Sequence, residues 1–200
     1  MDTRRFAENA LRLAGWHWDG ELPAPKKYVC LAVPHTSNWD GLLLVLLAQS
    51  QGLPLSWMIK DTWFRGPMAP LLRNVGAVAI DRKRSRNIVG QMIEEFARRD
   101  ELVLAIPPEG TRGHSEYWKS GFYHIALGAK VPVVTGYLDY GRKVGGLGPP
   151  IMMTGDVRAD MDKIRAFYAA MAPTAKNPAG FGPIRLREED EAAPASAGKP

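Results

Sequence analysis

At 200 residues, 46% of them hydrophobic, the chain is long enough for one domain with a substantial core, and no shift in composition marks a second. Net charge is +5, yet residues 188–200 carry four acids and one lysine, so residues 1–187 hold 25 basic against 17 acidic groups; such a basic body suits nucleic acid, anionic lipid or phosphorylated substrates, which composition alone does not rank. The single cysteine, Cys30, excludes an intramolecular disulfide and a cysteine-based metal cage and fits a reducing compartment.

Residues 3–14 pattern as a short amphipathic helix, with Phe6, Ala10, Leu13 and Ala14 along one side and Arg4, Arg5 and Arg12 elsewhere, followed by Trp16 and Trp18. Arginine beside exposed tryptophan is the composition of an interfacial anchor. Residues 1–18 are therefore read as an N-terminal amphipathic unit, with cover for the core as the competing reading. Arg4 and Arg5 precede no continuous apolar region, so no secretory signal is expected. The longest apolar run, Leu42 to Ala48, is far too short to span a bilayer.

Residues 28–34 read as a buried strand with Cys30 in the core, and an apolar helix follows at 38–50. Further strands are expected at 55–60, 75–82, 101–107 and 131–138. Helices are expected at 62–73, interrupted by Pro67 and Pro70, then at 85–99, 119–129 and 160–171. The helix at 85–99 places Ile88, Met92, Ile93 and Phe96 on one face and Arg98 and Arg99 in its last turn, where cations suit the dipole. This alternation predicts an α/β fold: a single layered domain over 19–184, with a mixed, largely parallel central sheet flanked by helices. Residues 185–200, rich in Glu, Ala and Pro, are expected to form a disordered acidic tail.

Three polar stretches sit at predicted strand ends, where α/β proteins place their chemistry. In His35-Thr-Ser-Asn-Trp-Asp40 a histidine and a carboxylate lie five apart, and a His held by an Asp is a general base. The alternative is a loop in which Thr36, Ser37 or Asn38 caps the next helix and His35 only packs. Ile106-Pro-Pro-Glu-Gly-Thr-Arg112 combines a glycine for a sharp turn with a planar guanidinium fork suited to phosphate oxygens. Ile80-Asp-Arg-Lys-Arg84 adds cations, of which Arg82 sits at the strand end while Lys83 and Arg84 read as a solvated turn. His114 reads as a loop residue and His124 as a core or helix-face histidine.

In order and spacing, His35-x-Ser37-x-x-Asp40, Gly76-Ala-Val-Ala-Ile-Asp-Arg82, Pro108-Glu-Gly-Thr-Arg112 and Val131-Pro132-Val-Val resemble the four motif blocks of the glycerolipid acyltransferases, including the 1-acylglycerol-3-phosphate O-acyltransferases; Lys119-x-Gly121-Phe122 is a usual companion. The likeness runs from about residue 28 to 138. It implies acyl transfer from acyl-coenzyme A or acyl-carrier protein to a hydroxyl of a lysophospholipid or related lipid, with no metal or bound cofactor. On this resemblance His35 is the base and Asp40 its orienting partner. Arg82, Glu109, Gly110, Thr111 and Arg112 form the acceptor or phosphate site, while Ser37, Lys60, Lys119 and Pro132 serve donor binding or support. The implied role is in phospholipid biosynthesis, at the cytoplasmic, inner face of a membrane to which the protein binds peripherally, with no nucleic-acid partner. Departures from the family pattern are Pro34, Ala79, Pro107 and Thr135, none of which removes a charged catalytic group; they mark a divergent branch.

Two other functions compete. A serine-type lipid hydrolase also uses His and Asp, but no Gly-x-Ser-x-Gly elbow is present. A non-catalytic lipid- or anion-binding module explains the basic body but leaves the His35–Asp40 pair without a purpose. His114-Ser-Glu116 looks superficially like part of a zinc deaminase site, which a single cysteine does not supply.

Overall fold

A computed structural model of the chain describes residues 3–66, 69–70, 76–80 and 88–191. Its elements in order are α1 (Thr3–Ala14), β1 (His17–Asp19), β2 (Lys27–Val33), α2 (Asn38–Ser50), β3 (Leu55–Lys60), a 3₁₀ turn (Asp61–Arg65), β4 (Ala77–Ile80), α3 (Ile88–Arg98), β5 (Leu102–Ile106), α4 (Gly121–Ala129), β6 (Val133–Asp139), β7 (Val144–Ile151), α5 (Val157–Met171), a 3₁₀ turn (Pro178–Gly180) and α6 (Glu188–Glu191). Among the described residues these strands form one sheet in the order β1-β7-β6-β2-β5-β3-β4, parallel throughout except where β7 returns antiparallel to β6. The expected mixed, largely parallel sheet with flanking helices is the one observed.

The strands at the sheet centre read as unbroken apolar runs because both of their faces are covered. On β2 the odd residues Val29, Leu31 and Val33 join a core with Met92 and Phe96 of α3, Phe122 of α4 and Ile164 of α5. The even residues Tyr28 and Cys30 face the other way, onto Ala48 of α2, together with Val103 and Ala105 of β5. Strand period two thus divides one sequence between two layers. Cys30 is fully buried, and burial pushes its thiol pKa up to about 12, as expected of a core cysteine without reactivity.

Helix α1 lies on α2 through Leu11, which packs with Trp16, Leu43, Leu47 and Leu138. Trp16 is therefore a core residue at 8% exposure, and the interfacial role expected of it is corrected. Trp18 sits half-buried in β1 with its indole N–H donated to the Gly20 carbonyl at 2.9 Å. The apolar side chains of this region that do reach solvent are Phe6 and Leu13 on α1 and Trp39 and Leu42 on α2.

The C-terminal segment also departs from expectation. Residues 185–191 are folded: Leu186 is fully buried and bridges Trp118, Glu189 Oε1 accepts the Leu186 N–H at 2.7 Å, and Arg165 meets Glu189 Oε2 at 2.8 Å. The acids there cap and pair; they do not merely solvate. The strand expected at 75–82 is described only as β4, Ala77–Ile80. Of the helix expected at 62–73, the described part includes the 3₁₀ turn Asp61–Arg65.

Candidate active site

The C-terminal ends of β2, β5 and β6 meet at one edge of the sheet: Leu31 pairs with Ile106, the last residue of β5, and Val33 pairs with Tyr137 near the end of β6. The loops that leave these strands carry the polar motifs. This is the strand-end crevice expected of an open parallel sheet.

Ser37 is the N-cap of α2, and the hexapeptide contains a complete capping box. Ser37 Oγ accepts the Trp39 N–H at 3.1 Å and donates to Asp40 Oδ1 at 3.0 Å, while Asp40 Oδ2 accepts the N–H groups of Thr36 at 2.6 Å and Ser37 at 2.7 Å. The helix-capping reading of this stretch thus holds, with Ser37 as the cap. A fourth donor, the Tyr140 hydroxyl, reaches Asp40 Oδ1 at 2.5 Å.

The His35 ring is half-buried and makes no hydrogen bond to Asp40; the carboxylate acts on it through space. Burial pushes the His35 pKa below the ordinary 6.5, the Asp40 charge opposes that, and Arg112 adds to the lowering. The imidazole is held neutral, in its proton-accepting form, at neutral pH.

Glu109 is 2% exposed and reaches across from the loop after β5, its Oε1 accepting the His35 backbone N–H at 3.1 Å. It clamps the His35 loop through a backbone amide. Its Oε2 has no hydrogen-bond partner among the described residues. Burial, first, pushes the Glu109 pKa up to about 7, with the His35 N–H opposing and the Asp40 charge adding to the rise. A carboxyl that holds its proton more tightly when folded stabilises the fold most below its unfolded pKa and loses that contribution as pH rises through about 7. Glu109 should therefore contribute a fall in wild-type stability, measured by thermal melts, between pH 5 and pH 8 equivalent to about 3 kcal/mol, against which His35, with its lowered pKa, contributes in the opposite direction. Glu109→Gln, which keeps the acceptor for His35 and removes the charge, should flatten that slope; a slope of unchanged steepness in the variant would assign it to other groups.

The rest of the third motif is arranged for a turn. Gly110 has φ +69, and a Cβ there would stand 2.9 Å from Cγ of Lys119, whose stem packs on it. The Lys119 N–H donates to the Pro108 carbonyl at 2.7 Å. Thr111 and Arg112 are exposed, and Thr111 Oγ1 accepts the Gly113 N–H at 3.3 Å. The structure thus gathers His35, Ser37, Asp40, Glu109, Gly110 and Arg112, with Lys119 beside them. It leaves Pro132 apart: that residue adjoins the opposite end of the sheet, where its carbonyl accepts the Val29 N–H, about 13 Å along β2 from Val33. Arg82 lies outside the described residues, as does the side chain of Lys60, whose backbone ends β3.

An apolar cavity of about 280 Å³ lies between α2 and the sheet, lined by His35 and Asp40 together with Gly41, Leu44, Leu55 and Trp57. The backbone N–H groups of residues 35–37 are all engaged by Glu109 or Asp40, so an oxyanion would be held by other donors. Thr36 is itself strapped from the C-terminal side, its Oγ1 and carbonyl accepting the Asn177 backbone and side-chain N–H groups at 3.2 and 2.8 Å. At Gly182 a Cβ would come within 2.1 Å of the Ser115 carbonyl, so this strap lies directly on the loop of the third motif. Tyr140, Asn177 and the cavity-lining Gly41 had no individual signal in the sequence. Asp40 as a capping-box residue did, in Ser37-x-x-Asp40.

Residues 17–139 match the profile of a family described as Acyltransferase. Among solved structures, the chain is similar to the 1-acyl-sn-glycerophosphate (LPA) acyltransferase PlsC from Thermotoga maritima, with 16% identity, 87% of this chain and 80% of that chain covered, and a TM-score of 0.59. No curated protein matches the sequence.

Proposed function

The chain belongs to the acyltransferase family, and from that premise we propose that it transfers a fatty acyl group from acyl-coenzyme A or acyl-carrier protein to a hydroxyl of a lysophospholipid or related lipid. The observation that carries this reading is the neutral His35 imidazole in the lining of an apolar cavity large enough to receive part of an alkyl chain. An alcohol is a poor nucleophile at neutral pH. His35 takes its proton as the oxygen attacks the thioester carbonyl; the tetrahedral intermediate collapses, and the imidazolium returns the proton to the departing thiolate. The products are an ester and a free thiol. Asp40 favours the imidazolium electrostatically. Exposed Arg112, close enough to influence His35, is placed to hold an acceptor phosphate.

The same reading extends to a lipid surface. Phe6, Leu13, Trp39 and Leu42 present large apolar side chains to solvent on α1 and on α2, which packs against it and lines the cavity, and α1 carries Arg4, Arg5 and Arg12. Among the described residues no helix is long and apolar enough to cross a membrane; the proposed peripheral attachment, at the cytoplasmic face, is supported by these exposed apolar side chains beside basic ones. The test is incubation of the purified protein with labelled acyl-coenzyme A and a panel of lysolipids in anionic or zwitterionic vesicles. Ester formation with one acceptor class is expected, together with vesicle binding that is stronger on anionic lipid and released by salt. Hydrolysis of the thioester at the same rate with and without any acceptor would overturn the transferase reading, and equal binding to both vesicle types at all salt concentrations would overturn the electrostatic one.

A further inference from the structure

The two Asp40 oxygens offer about four lone-pair positions, and four donors fill them: the Thr36 and Ser37 N–H groups on Oδ2, and the Ser37 and Tyr140 hydroxyls on Oδ1. Three of these belong to the capping box that starts α2. The fourth arrives from the residue that follows β6, 100 positions along the chain. We propose that Tyr140 is a positioning residue for the general base, its hydroxyl fixing Asp40 Oδ1 and drawing on the carboxylate charge that acts through space on His35. The inference rests on the reading of His35 as the base.

Tyr140 is held for this purpose from two sides. Trp16 meets its ring edge-on, with centroids 5.0 Å apart at 84°, and Trp16 is itself locked into the core by Leu11, Leu43, Leu47 and Leu138. Lys176 Nζ stands 5.6 Å from the ring centroid on the C-terminal segment. Burial and the neighbouring Asp40 raise the phenol pKa well above its usual value, so the hydroxyl remains a neutral donor throughout the range in which His35 titrates. The charged and titratable groups that face the pair are Asp40 itself, Arg112 and Glu109 from the loop after β5, and Lys176; of these, Asp40 is the one that accepts the Tyr140 hydroxyl.

A donor on Oδ1 draws electron density from the carboxylate and occupies the lone pair that an imidazole N–H would use. Both effects weaken the hold of Asp40 on a protonated His35. Tyr140→Phe keeps the ring against Trp16 and Lys176 and removes only the hydroxyl, so the His35 imidazolium gains stability and its titration midpoint should rise by ~0.5 to 1 unit. The chain has four histidines, so the imidazole C–H resonances can be followed individually by NMR from pH 4 to pH 9 without substrate. The expected result is an upward shift of the His35 midpoint in Tyr140→Phe, with those of His17, His114 and His124 unmoved. An unmoved His35 midpoint, or a parallel drift of all four with a lowered melting temperature, overturns the proposal. Because this readout needs no turnover, it is independent of whether His35 is the base, which is decided by the turnover of His35→Ala.

Discussion

His35→Ala should lose acyl transfer by a factor of at least ~10² to 10⁴ in kcat, the usual contribution of a positioned general base, while unfolding at close to the wild-type temperature. The ring is half-buried and is not hydrogen-bonded to Asp40, and the contact that fixes its loop is made by the His35 backbone N–H to Glu109, which alanine retains. Removing the imidazole thus removes the proton acceptor and little of the scaffold. Asp40→Asn is a less clean probe than the sequence implies. Its carboxylate ties down Thr36, Ser37 and Tyr140 as well as acting on His35, so the variant should lose stability and turnover together. Retention of near-normal kcat by His35→Ala on an acceptor that the wild type uses would remove the base from the mechanism, whatever Asp40→Asn does.

How far the site was legible follows from the range over which each residue acts. His35 and Asp40 stand in one short motif between an apolar strand and an apolar helix, and both local patterns survive in the fold as β2 and α2. Glu109 was legible as a motif residue but not as a clamp, because its partner is a backbone amide 74 positions away. Tyr140 reaches Trp16 and Asp40 only through tertiary packing. Beside Arg12, Trp16 looked like an interfacial anchor, although its place in the core is set by Leu138 and Tyr140 on the far side of the sequence.

The strands show the same division. β2 and β5 are continuous apolar runs that declare themselves, whereas β7, Val-Gly-Gly-Leu-Gly-Pro-Pro-Ile, has the composition of a loop. Its strand state is imposed from outside. Gly145 and Gly146 lie so close to Leu47, Tyr137 and the Asp19 carbonyl that a Cβ at either would come within 2.5 Å of a neighbouring atom. Pro149 and Pro150 fall beyond Gly146, where pairing with β1 ends and no ladder N–H is needed on that side. β1 itself, three residues long, carries too little pattern to be read. In the tail, Glu189 is bound by Arg165 and the Leu186 N–H, contacts that a run of four acids does not announce.

The second large effect is expected at Gly41, in the first turn of α2, where the residue lines the apolar cavity beside His35 and a Cβ would meet no atom within 4 Å. Its backbone is helical, so a side chain there is not strained, and Gly41→Ala should raise stability by up to ~1 kcal/mol through helix propensity alone. Gly41→Leu adds a branched chain beside the space proposed for the acyl group, which Gly41 lines. Each methylene excluded from such a site forfeits ~0.8 kcal/mol of burial, so displacing three of them should lower kcat/KM for a long-chain thioester by roughly 50-fold. An acetyl or butyryl thioester, which does not extend past the obstruction, should be used as well as by the wild type, and the ratio of long- to short-chain kcat/KM is the quantity to measure. The melting temperature of Gly41→Leu should stay at or above that of the wild type, since the substitution fills a void and replaces a helical glycine. A stable variant that loses activity equally on short and long donors would place the obstruction at the reacting carbonyl and leave the acyl chain to another surface. A selective loss on long donors would fix the chain's path between α2 and the sheet, with His35 in its lining.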